Sequence, residues 1–525
     1  MRTSLGDVAD VIEAAHVLYA DEPATSAVLD GYGRRLREPL RVAVAGIVKA
    51  GKSTLLNALI GERIAPTDAG ECTRTITWYR HAVTAHITMH RHDGTTERLP
   101  VRRTDGRLDL DLGSARAEDV AWIDVGWPSE SLRSMILIDT PGIASVTREN
   151  SARSVEFLVP ENSPSAADAI IYLLRHVHSS DVRFLEAFRD TAAGASQTVN
   201  AVAVLSRADE IGSGRIDSLV SAAGIADRYR RDGELRALAL GVLPIAGLLA
   251  EGARTLRESE FIALRELARL DRAEREKLLV SVDRFVRPTA ATSLSITARE
   301  NLLQRFGLFG VRLAAALIRG GATTSSALAE RLVQQSGMVA LQEFVVDHFR
   351  QRAVALKARG VLQGVEQLVR ERPRPGADAV LGGIERIMVR SHELRELALL
   401  AQLRTAPVAL SVDDVADAER ILGGAGTAPV VRLGLADTAG RPERDARVQS
   451  LLTRWRALSE SPLSDRYTAH LCRMVVRSVE GVAADLAGAG AHAAAPGGSV
   501  SRDGRRDAGG ASDVVLASGP AQGSR

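Results

Sequence analysis

Several residue types are scarce in this chain of 525 residues, and each scarcity argues against a class of protein. Aromatic residues make up only 4%, and the two cysteines, Cys72 and Cys472, lie far apart. Cysteines so placed do not form the pattern of a disulfide framework or a zinc site, so a reducing cytoplasm is the expected environment. The net charge is only +2 and no long basic run occurs, so no nucleic-acid partner is expected.

Long hydrophobic runs are also missing. The N-terminus lacks the apolar core of a signal peptide, and Ala237–Ala250 contains Pro244 and is too short to cross a membrane. The apolar stretch Phe306–Ile318 carries Arg312, and we favour core packing over contact with lipid as its interpretation. The chain is therefore expected to be cytoplasmic, and any contact with the plasma membrane is expected to be peripheral, at its inner face.

The central part of the chain, residues 40–250, alternates short apolar runs with helical patterns. Continuous apolar runs are typical of strands in a parallel sheet that is covered on both faces, so the alternation predicts a doubly wound α/β domain with a mostly parallel sheet. In such a domain, ligands bind at the carboxyl ends of the strands. The predicted strands are Arg41–Ala45, Thr75–Arg80, Ala85–His90, Ala121–Gly126, Met135–Asp139, Ala169–Leu174, Ala201–Ser206 and Ala239–Ile245.

Helical periodicity dominates on both sides of this domain. The first predicted helices are Leu5–Ala20 and Thr25–Arg37, and a long helix is predicted through Leu341 and Leu368. The predicted organisation is a pair of neck helices in 1–38, an α/β head in 39–250, an all-α neck and trunk in 251–486, and a disordered tail in 487–525. The head extends to about residue 350 if Ser336–Leu341 begins its last helix.

The segment Gly46-Ile-Val-Lys-Ala-Gly-Lys-Ser53 has the pattern G-x-x-x-x-G-K-[ST] of a phosphate-binding loop, and it lies between a predicted strand and a predicted helix. Backbone N–H groups of such a loop surround nucleotide phosphates, and the helix N-terminus adds a favourable field for anions. Lys52 is expected to reach the β- and γ-phosphates, and the Ser53 hydroxyl to bind Mg²⁺. The predicted nucleotide contacts here are Gly46, Ile47, Val48, Lys49, Ala50, Gly51, Lys52, Ser53 and Thr54.

A second motif, Asp139-Thr-Pro-Gly142, follows the predicted strand Met135–Asp139 and has the pattern D-x-x-G. The Asp139 carboxylate can hold Mg²⁺ through a water molecule, and the Gly142 amide can contact the γ-phosphate. Downstream of a phosphate loop, this pattern is the usual second part of a GTPase site.

A threonine between these two motifs can complete the magnesium shell with its hydroxyl and orient the attacking water with its carbonyl. Thr73 is the predicted residue, and Thr75, which begins the next predicted strand, is the second choice. A segment of this kind is ordered by the γ-phosphate and Mg²⁺ and is released on hydrolysis. Cys72 beside it is interpreted as a small filler residue.

A third motif, Ser206-Arg-Ala-Asp209, is comparable with the guanine-binding pattern [NT]-K-x-D. An aspartate at this place accepts hydrogen bonds from the ring N1–H and the exocyclic amine of guanine, a pattern that adenine does not offer. Arg207 replaces the lysine and can stack on a base, and Ser206 replaces the Asn or Thr. The three motifs in this order predict GTP over ATP. The amides of Ala246 and Gly247 are predicted to meet the guanine carbonyl.

The segments Gly46–Gly61, Ala65–Thr67 and Gly70–Thr75 together resemble the bacterial dynamin-like GTPases. More narrowly, the chain resembles the isoniazid-inducible dynamin-like proteins of mycobacteria and their relatives over most of residues 30–480. The segments that carry this resemblance are Glu71–Arg80, Ser206–Gly212, Pro244–Ala250, Ser281–Arg287 and Arg305-Phe-Gly-Leu-Phe-Gly310.

The resemblance implies a P-loop GTPase head, a helical neck and trunk built from both chain ends, and self-association through the heads. It also implies GTP hydrolysis with Mg²⁺ and membrane remodelling by fission or fusion. The pair Ser206-Arg207 is normal within the narrower family. The sequence has no evident apolar paddle or membrane-spanning tip, so a partner is expected to supply any insertion into the membrane.

The source of positive charge for hydrolysis is left open by the sequence. Many small GTPases place a Gln soon after D-x-x-G, whereas Ile143 and Ala144 follow Gly142 here. Dynamins commonly use a monovalent cation held by a serine of the phosphate loop, and this chain has Lys49 at that position. Lys49 is either an internal finger that replaces the potassium ion when heads dimerise, or a solvated lysine that only raises nucleotide affinity.

The leading prediction is therefore a dynamin-like GTPase that couples hydrolysis to head association and membrane remodelling. A second interpretation is a GTP-dependent interaction module that assembles with another dynamin-like protein and does not enter the membrane itself. A third, a ribosome-assembly GTPase, would require a basic RNA-binding domain, which the sequence lacks.

Overall fold

The computed structural model describes residues 4–67, 75–104, 106–142, 157–158, 165–190, 198–212, 214–231 and 233–493. Its strands are β1 (Leu40–Gly46), β2 (Thr77–His81), β3 (His86–Arg91), β4 (Thr96–Leu99), β5 (Arg102–Thr104), β6 (Arg107–Asp109), β7 (Val120–Trp127), β8 (Met135–Asp139), β9 (Ala169–Leu174), β10 (Ala201–Ser206) and β11 (Val242–Ile245).

Its helices are α1 (Leu5–Leu18), α2 (Pro23–Arg37), α3 (Lys52–Ile60), α4 (Ser179–Asp190), α5 (Ser218–Arg231), α6 (Gly233–Arg236), α7 (Gly247–Arg254), α8 (Glu258–Arg269), α9 (Arg272–Leu278), α10 (Val282–Val286), α11 (Ile296–Arg319), α12 (Ser325–Gln335), α13 (Met338–Phe344), α14 (Ala353–Glu371), α15 (Ala377–Arg390), α16 (His392–Thr405), α17 (Val412–Ile421), α18 (Pro429–Leu433), α19 (Arg441–Glu460) and α20 (Arg466–Ala493). A π-helical turn, Val345–Arg350, lies between α13 and α14.

The head is built on a nine-stranded sheet of order β11-β10-β9-β1-β8-β2-β7-β3-β4. Strand β1 is parallel to β8 on one side and to β9 on the other, and β10 and β11 continue the parallel part. Strand β2 is antiparallel to β8 and β3 is antiparallel to β7. The prediction of an α/β fold with a mostly parallel sheet is confirmed, with antiparallel pairs towards the β4 edge.

The apolar run of β1 is buried on both faces of this sheet. Val42 and Val44 face the core that contains α3, whereas Ala43 and Ala45 face the core that contains α4 and α5. Alternate side chains of a strand point to opposite faces, so a continuous apolar run is needed where helices cover both. The strands β4, β5 and β6 were not predicted, because they are largely exposed and carry polar residues instead of apolar runs.

The N-terminal helices α1 and α2 pack against α14 and α15. At the far end of this bundle the Tyr19 hydroxyl donates to the Arg372 carbonyl, at 2.5 Å. At the head end the Lys357 ammonium donates to the carbonyls of Leu36 and Glu38, each at 2.9 Å. The neck therefore combines helices from the two ends of the chain, as the resemblance implied.

Helices α7 to α12 form an apolar core of their own beside the sheet. The chain then returns to the head, because the Ser336 carbonyl accepts a hydrogen bond from the Ala246 amide and Met338 is buried in the head core. This packing matches the alternative in which Ser336–Leu341 begins a last helix on the head. The domain limits themselves stay a prediction.

Helix α11 is long and apolar enough, by length and composition alone, to cross a membrane, which the sequence analysis did not anticipate. In the structure α11 packs against α7 and α8 and buries Phe306 and Phe309. The Arg312 guanidinium donates to the carbonyls of Leu279 and Gly214, at 2.9 and 2.7 Å. These contacts agree with core packing as the interpretation of Phe306–Ile318.

Two helix predictions are corrected by the structure. The long helix predicted through Leu341 and Leu368 is interrupted by the π-helical turn, which apolar spacing could not indicate because the spacing is helical on both sides. Helix α20 extends to Ala493, past residue 486, where the predicted trunk ends. The added stretch alternates alanine, the best helix former, with two glycines and a histidine. Residues 494–525 of the predicted disordered tail lie outside the described residues.

Candidate nucleotide site

The phosphate loop joins β1 to α3 at the carboxyl end of the sheet. Gly51 caps the N-terminus of α3 with a left-handed backbone, and Lys49 also has a positive φ of 63°. A non-glycine residue in this region costs free energy and recurs at functional sites. The Lys49 side chain is exposed, and within the described part of the chain its ammonium makes no hydrogen bond or ion pair. The loop thus presents this cation to solvent or to a ligand.

Lys52, the first residue of α3, is directed back over the loop. Its ammonium donates to the carbonyls of Gly46 and Ile47, at 3.3 and 3.4 Å. Burial lowers the pKa of Lys52, and the nearby Asp139 carboxylate acts in the opposite direction. These weak bonds to carbonyls can be exchanged for stronger ones to phosphate oxygens.

Asp139 ends β8 directly beside β1, and this adjacency brings the first two motifs together. The Ser53 hydroxyl donates to Asp139 Oδ2 at 2.9 Å, and the Thr140 hydroxyl donates to the Val44 carbonyl at 3.0 Å. Burial raises the pKa of Asp139 to about 6, although Lys52 and Ser53 both act to lower it.

The donor set around Ser53 fits Mg²⁺, which prefers hard oxygen ligands and keeps several waters. A hydroxyl and a carboxylate oxygen are adjacent here, and no group of three or more His, Cys, Asp or Glu among the described residues forms a competing metal cluster. Thr73 and Cys72 lie outside the described residues, whereas Thr75 is buried just before β2. The assignment of Thr73 therefore stays a prediction.

Gly142 lies directly against the phosphate loop. A Cβ atom at this position would be 2.5 Å from Val48 Cγ2 and 2.9 Å from Val48 Cα. Real Cβ atoms do not approach backbone so closely, so only glycine fits. The loop therefore fixes the position of the Gly142 backbone at the phosphate end of the site.

A cavity of about 140 Å³ connects the phosphate loop to the third motif, at the carboxyl ends of β10 and β11. Ligands of open α/β sheets bind at this edge. The lining residues are Ala50, Gly51, Thr54, Leu55, Leu173, Val204, Ser206, Arg207, Asp209, Glu210, Ile245, Gly247 and Leu248. Apolar walls with a few polar groups are typical of a pocket for a planar base.

Asp209 is the predicted guanine acceptor and is 7% exposed. Burial raises its pKa to about 6, and the neighbouring Glu210 acts in the same direction. The Ser206 hydroxyl donates to the Leu174 carbonyl at 3.1 Å, so it ties β10 to β9.

Arg207 links the base cavity to the phosphate loop. Its guanidinium donates to the Lys49 carbonyl at 3.0 Å and to Glu210 at 2.7 Å, and Arg175 holds Glu210 from the other side at 3.0 Å. Glu210 and Arg175 were not singled out from the sequence. The spacing of three residues between Arg207 and Glu210 was the available signal for an ion pair.

The two predicted amides after β11 differ in their surroundings. The Ala246 amide donates to the Ser336 carbonyl at 2.9 Å, so it is already engaged and does not line the cavity. Gly247 and the following Leu248 do line it. The predicted contact of these amides with the guanine carbonyl stays a prediction, and the surroundings favour Gly247 over Ala246.

Comparison with known proteins adds to this geometry. The model of the dynamin family matches residues 42–193, which include the phosphate loop and Asp139. The isoniazid-induced protein IniC of Mycobacterium tuberculosis is 40% identical over 458 residues, which are 87% of this chain and 92% of IniC. The chain belongs to the dynamin family. The bacterial dynamin-like protein of Nostoc punctiforme is 28% identical over 156 residues, 26% of this chain and 22% of that protein.

This dynamin-family chain is also similar to a chain in a solved structure described as an oligomerised bacterial dynamin pair, with a mechanism for long-range sensing and tethering of membranes. The identity is 14%, the match covers 93% of this chain and 75% of that one, and the TM-score is 0.31. The relatives confirm the resemblance derived from the motifs, and the chain carries a dynamin-type GTPase domain.

Proposed function

We propose that this chain binds Mg²⁺-GTP, hydrolyses it to GDP and phosphate, and couples hydrolysis to association of its heads and to membrane remodelling. The observation that supports the proposal best is the convergence of three motifs at one edge of the sheet. Ser53 and Asp139 are hydrogen-bonded at 2.9 Å, and Asp209 lines a cavity that begins at the phosphate loop.

Each side chain then has a role in binding. The Lys52 ammonium exchanges its carbonyl partners for the β- and γ-phosphates, and the Asp139 carboxylate orients Ser53 by accepting a hydrogen bond from its hydroxyl. Mg²⁺ held near these oxygens would neutralise charge on the phosphates. The Asp209 carboxylate accepts two hydrogen bonds from guanine, with Arg207 against the base.

Hydrolysis also needs an oriented water and positive charge near the β–γ bridge. We assign the water to the carbonyl of Thr73 and the charge to the exposed ammonium of Lys49. The left-handed backbone of Lys49 and the bond from Arg207 to its carbonyl support the second assignment, because both hold the backbone from which this side chain extends.

The proposed location is the cytoplasm, with peripheral contact at the inner face of the plasma membrane. A second candidate is a GTP-dependent module that assembles with another dynamin-like protein without entering the membrane. The packing of α11 into the core of the head-side helices favours this candidate, since the one helix of the described part that is long and apolar enough to cross a membrane is engaged.

Flotation of the full chain with vesicles distinguishes these candidates. Anionic and neutral phospholipid vesicles are compared with GTP, with GDP and without nucleotide, and phosphate release is measured with and without vesicles. Flotation with anionic vesicles and faster phosphate release would support remodelling, with the Lys52→Ala variant as the nucleotide-binding control. GTP hydrolysis without any effect of vesicles would support the second candidate, the interaction module. No hydrolysis at all would overturn the proposal.

A further inference from the structure

The segment Arg305-Phe-Gly-Leu-Phe-Gly310 lies inside α11 and has no role in the function proposed above. Gly307 interrupts this helix of 24 residues with φ of 65° and ψ of 170°. That combination lies in a region that is essentially accessible to glycine alone. A sharp kink in the middle of a partly buried helix needs a cause in its sequence or its surroundings.

The kink lies at the wall of the base cavity. A Cβ atom at Gly307 would be 4.0 Å from Asp209 Oδ2 and 3.7 Å from Leu248 Cδ2. Both Asp209 and Leu248 line the cavity. A side chain at position 307 would thus come within van der Waals range of the carboxylate that is expected to read guanine.

The kink is also held firmly against α7, which begins at the cavity. A Cβ atom at Gly252 of α7 would lie 2.8 Å from the ring of Phe306, and one at Gly310 would lie 3.2 Å from Leu249 Cδ1. Phe306 is fully buried. Small residues that face a buried aromatic ring leave little freedom for the two helices to slide.

Arg305 fixes the N-terminal side of the kink. Its guanidinium donates to Glu260 at 2.8 Å and to the Thr255 carbonyl at 2.7 Å, and the Arg305 side chain is only 8% exposed. A guanidinium bonded in this way anchors α11 to both α8 and the end of α7. The position of Gly307 relative to Asp209 is therefore set by packing on both sides.

We propose that Gly307 is a positioning residue for guanine specificity, which acts by holding the Asp209 carboxylate and Leu248 in the place where a guanine base meets them. This inference rests on the proposed function, since it requires that the cavity takes a guanine nucleotide. A side chain at position 307 forces the backbone out of its glycine-only conformation, and the kink then shifts against Asp209. Because Gly307 belongs to α11, its proximity to Asp209 and Leu248 would also transmit the binding of a base in the cavity to this helix.

The first test compares Gly307→Ala with Gly321→Ala in the full chain. Gly321 follows the same helix and also has a positive φ, of 97°, and a Cβ atom there would have no neighbour within 4 Å among the described residues, so it controls for backbone strain. Dissociation constants are measured for GDP and for inosine diphosphate, which keeps the N1–H of guanine but lacks its exocyclic amine. The wild type should prefer GDP by about tenfold or more, the worth of one hydrogen bond to a charged group.

Gly307→Ala should reduce this preference to about twofold or less, and Gly321→Ala should leave it unchanged. Both constants come from one preparation, so their ratio does not depend on the fraction of chain that is folded. A normal ratio in Gly307→Ala, with GDP still bound, would overturn the inference while leaving the proposed function intact. Failure of the wild type to bind GDP would instead overturn the proposed function.

The second test needs no variant. Hydrogen exchange of the backbone amides in residues 305–311 is measured for the wild type alone, with GDP, and with pyrophosphate, which fills the phosphate loop but not the base cavity. GDP should slow exchange in this segment and pyrophosphate should not. Equal protection by both ligands, or none by GDP at saturation, would show that α11 does not respond to the base.

Discussion

The Arg207 guanidinium donates a hydrogen bond of 3.0 Å to the carbonyl of Lys49, and thereby joins the base-binding turn to the phosphate loop. Within the described part of the chain, Lys49 and Arg207 are also the non-glycine residues with a positive φ, of 63° and 53°. Strained backbone at two bonded residues persists only where the surroundings hold it. The backbone that carries the exposed cation of Lys49 is therefore held by the same residue that is expected to contact the base.

Replacing Arg207 should impair catalysis, although its side chain is partly exposed. In Arg207→Ala the Lys49 carbonyl loses its partner, so we expect the turnover number to fall about tenfold and the KM for GTP to rise. Arg175→Ala is the matched control, because Arg175 also pairs with Glu210 and, among the described residues, makes no hydrogen bond to the phosphate loop. The two variants are compared by steady-state phosphate release from GTP. Equal effects of the two variants would contradict the link to Lys49.

Lys49 is expected to replace a monovalent cation. Lys49→Ala should lower the turnover number by at least about a hundredfold, in the range of a lost finger residue, with a smaller change in the affinity for GDP. Wild-type turnover should be the same in potassium and in a large organic cation. If the large cation abolishes wild-type turnover, Lys49 only contributes to affinity.

Asp209 should make the stability of the nucleotide-free chain depend on pH. Burial raises its pKa to about 6 from an ordinary 3.8, so between these values the folded chain keeps a proton that the unfolded chain has lost. Its contribution to stability is full below the unfolded pKa and is lost as the pH rises through about 6. The melting temperature of the wild type should therefore fall relative to Asp209→Asn between about pH 4 and about pH 7.

Nucleotide binding should change with pH in the opposite direction. GDP needs the Asp209 carboxylate, so wild-type affinity should weaken as the pH falls below about 6, whereas Asp209→Asn should bind weakly at every pH. The affinity is measured at each pH by titrating labelled GDP with the wild type and with Asp209→Asn. An affinity of the wild type that does not change across this range would contradict the role of Asp209.

The neck should depend on one buried ion pair between α2 and the head. Arg35 lies 2.6 Å from Asp168 Oδ1, both side chains are buried, and Asp168 Oδ2 also accepts the Arg41 amide at 2.9 Å. Removal of one partner leaves a buried charge, so Arg35→Ala should destabilise the chain by about 3–5 kcal/mol. Arg133→Ala, which breaks the exposed pair with Glu130, should change the melting temperature little. Similar melting temperatures for the two variants would contradict this role.

The sequence alone was enough to predict the parts of the site that lie in continuous motifs. The phosphate loop, Asp139 and Asp209 each follow an apolar strand, and neighbouring parallel strands bring their carboxyl ends together. The pairing of Ser53 with Asp139 follows from the adjacency of β1 and β8. Fold class and the central contacts of the site could therefore be predicted from local patterns.

Contacts between distant segments could not be predicted in this way. Arg207 and Lys49 are 158 positions apart and Arg35 and Asp168 are 133 apart, and an arginine is taken for a surface residue until its partner is known. The kink at Gly307 could not be predicted for another reason, because the apolar spacing of α11 continues across it. Only tertiary packing shows that the kink lies beside Asp209.

The most direct test is phosphate release from GTP and from ATP by the full chain, measured over a range of protein concentrations with Mg²⁺ present. GTP should be hydrolysed and ATP should not, turnover per head should rise with concentration as heads associate, and Lys52→Ala should abolish the activity. Equal hydrolysis of ATP, or no release of phosphate from GTP at any concentration, would contradict a GTPase whose heads act together.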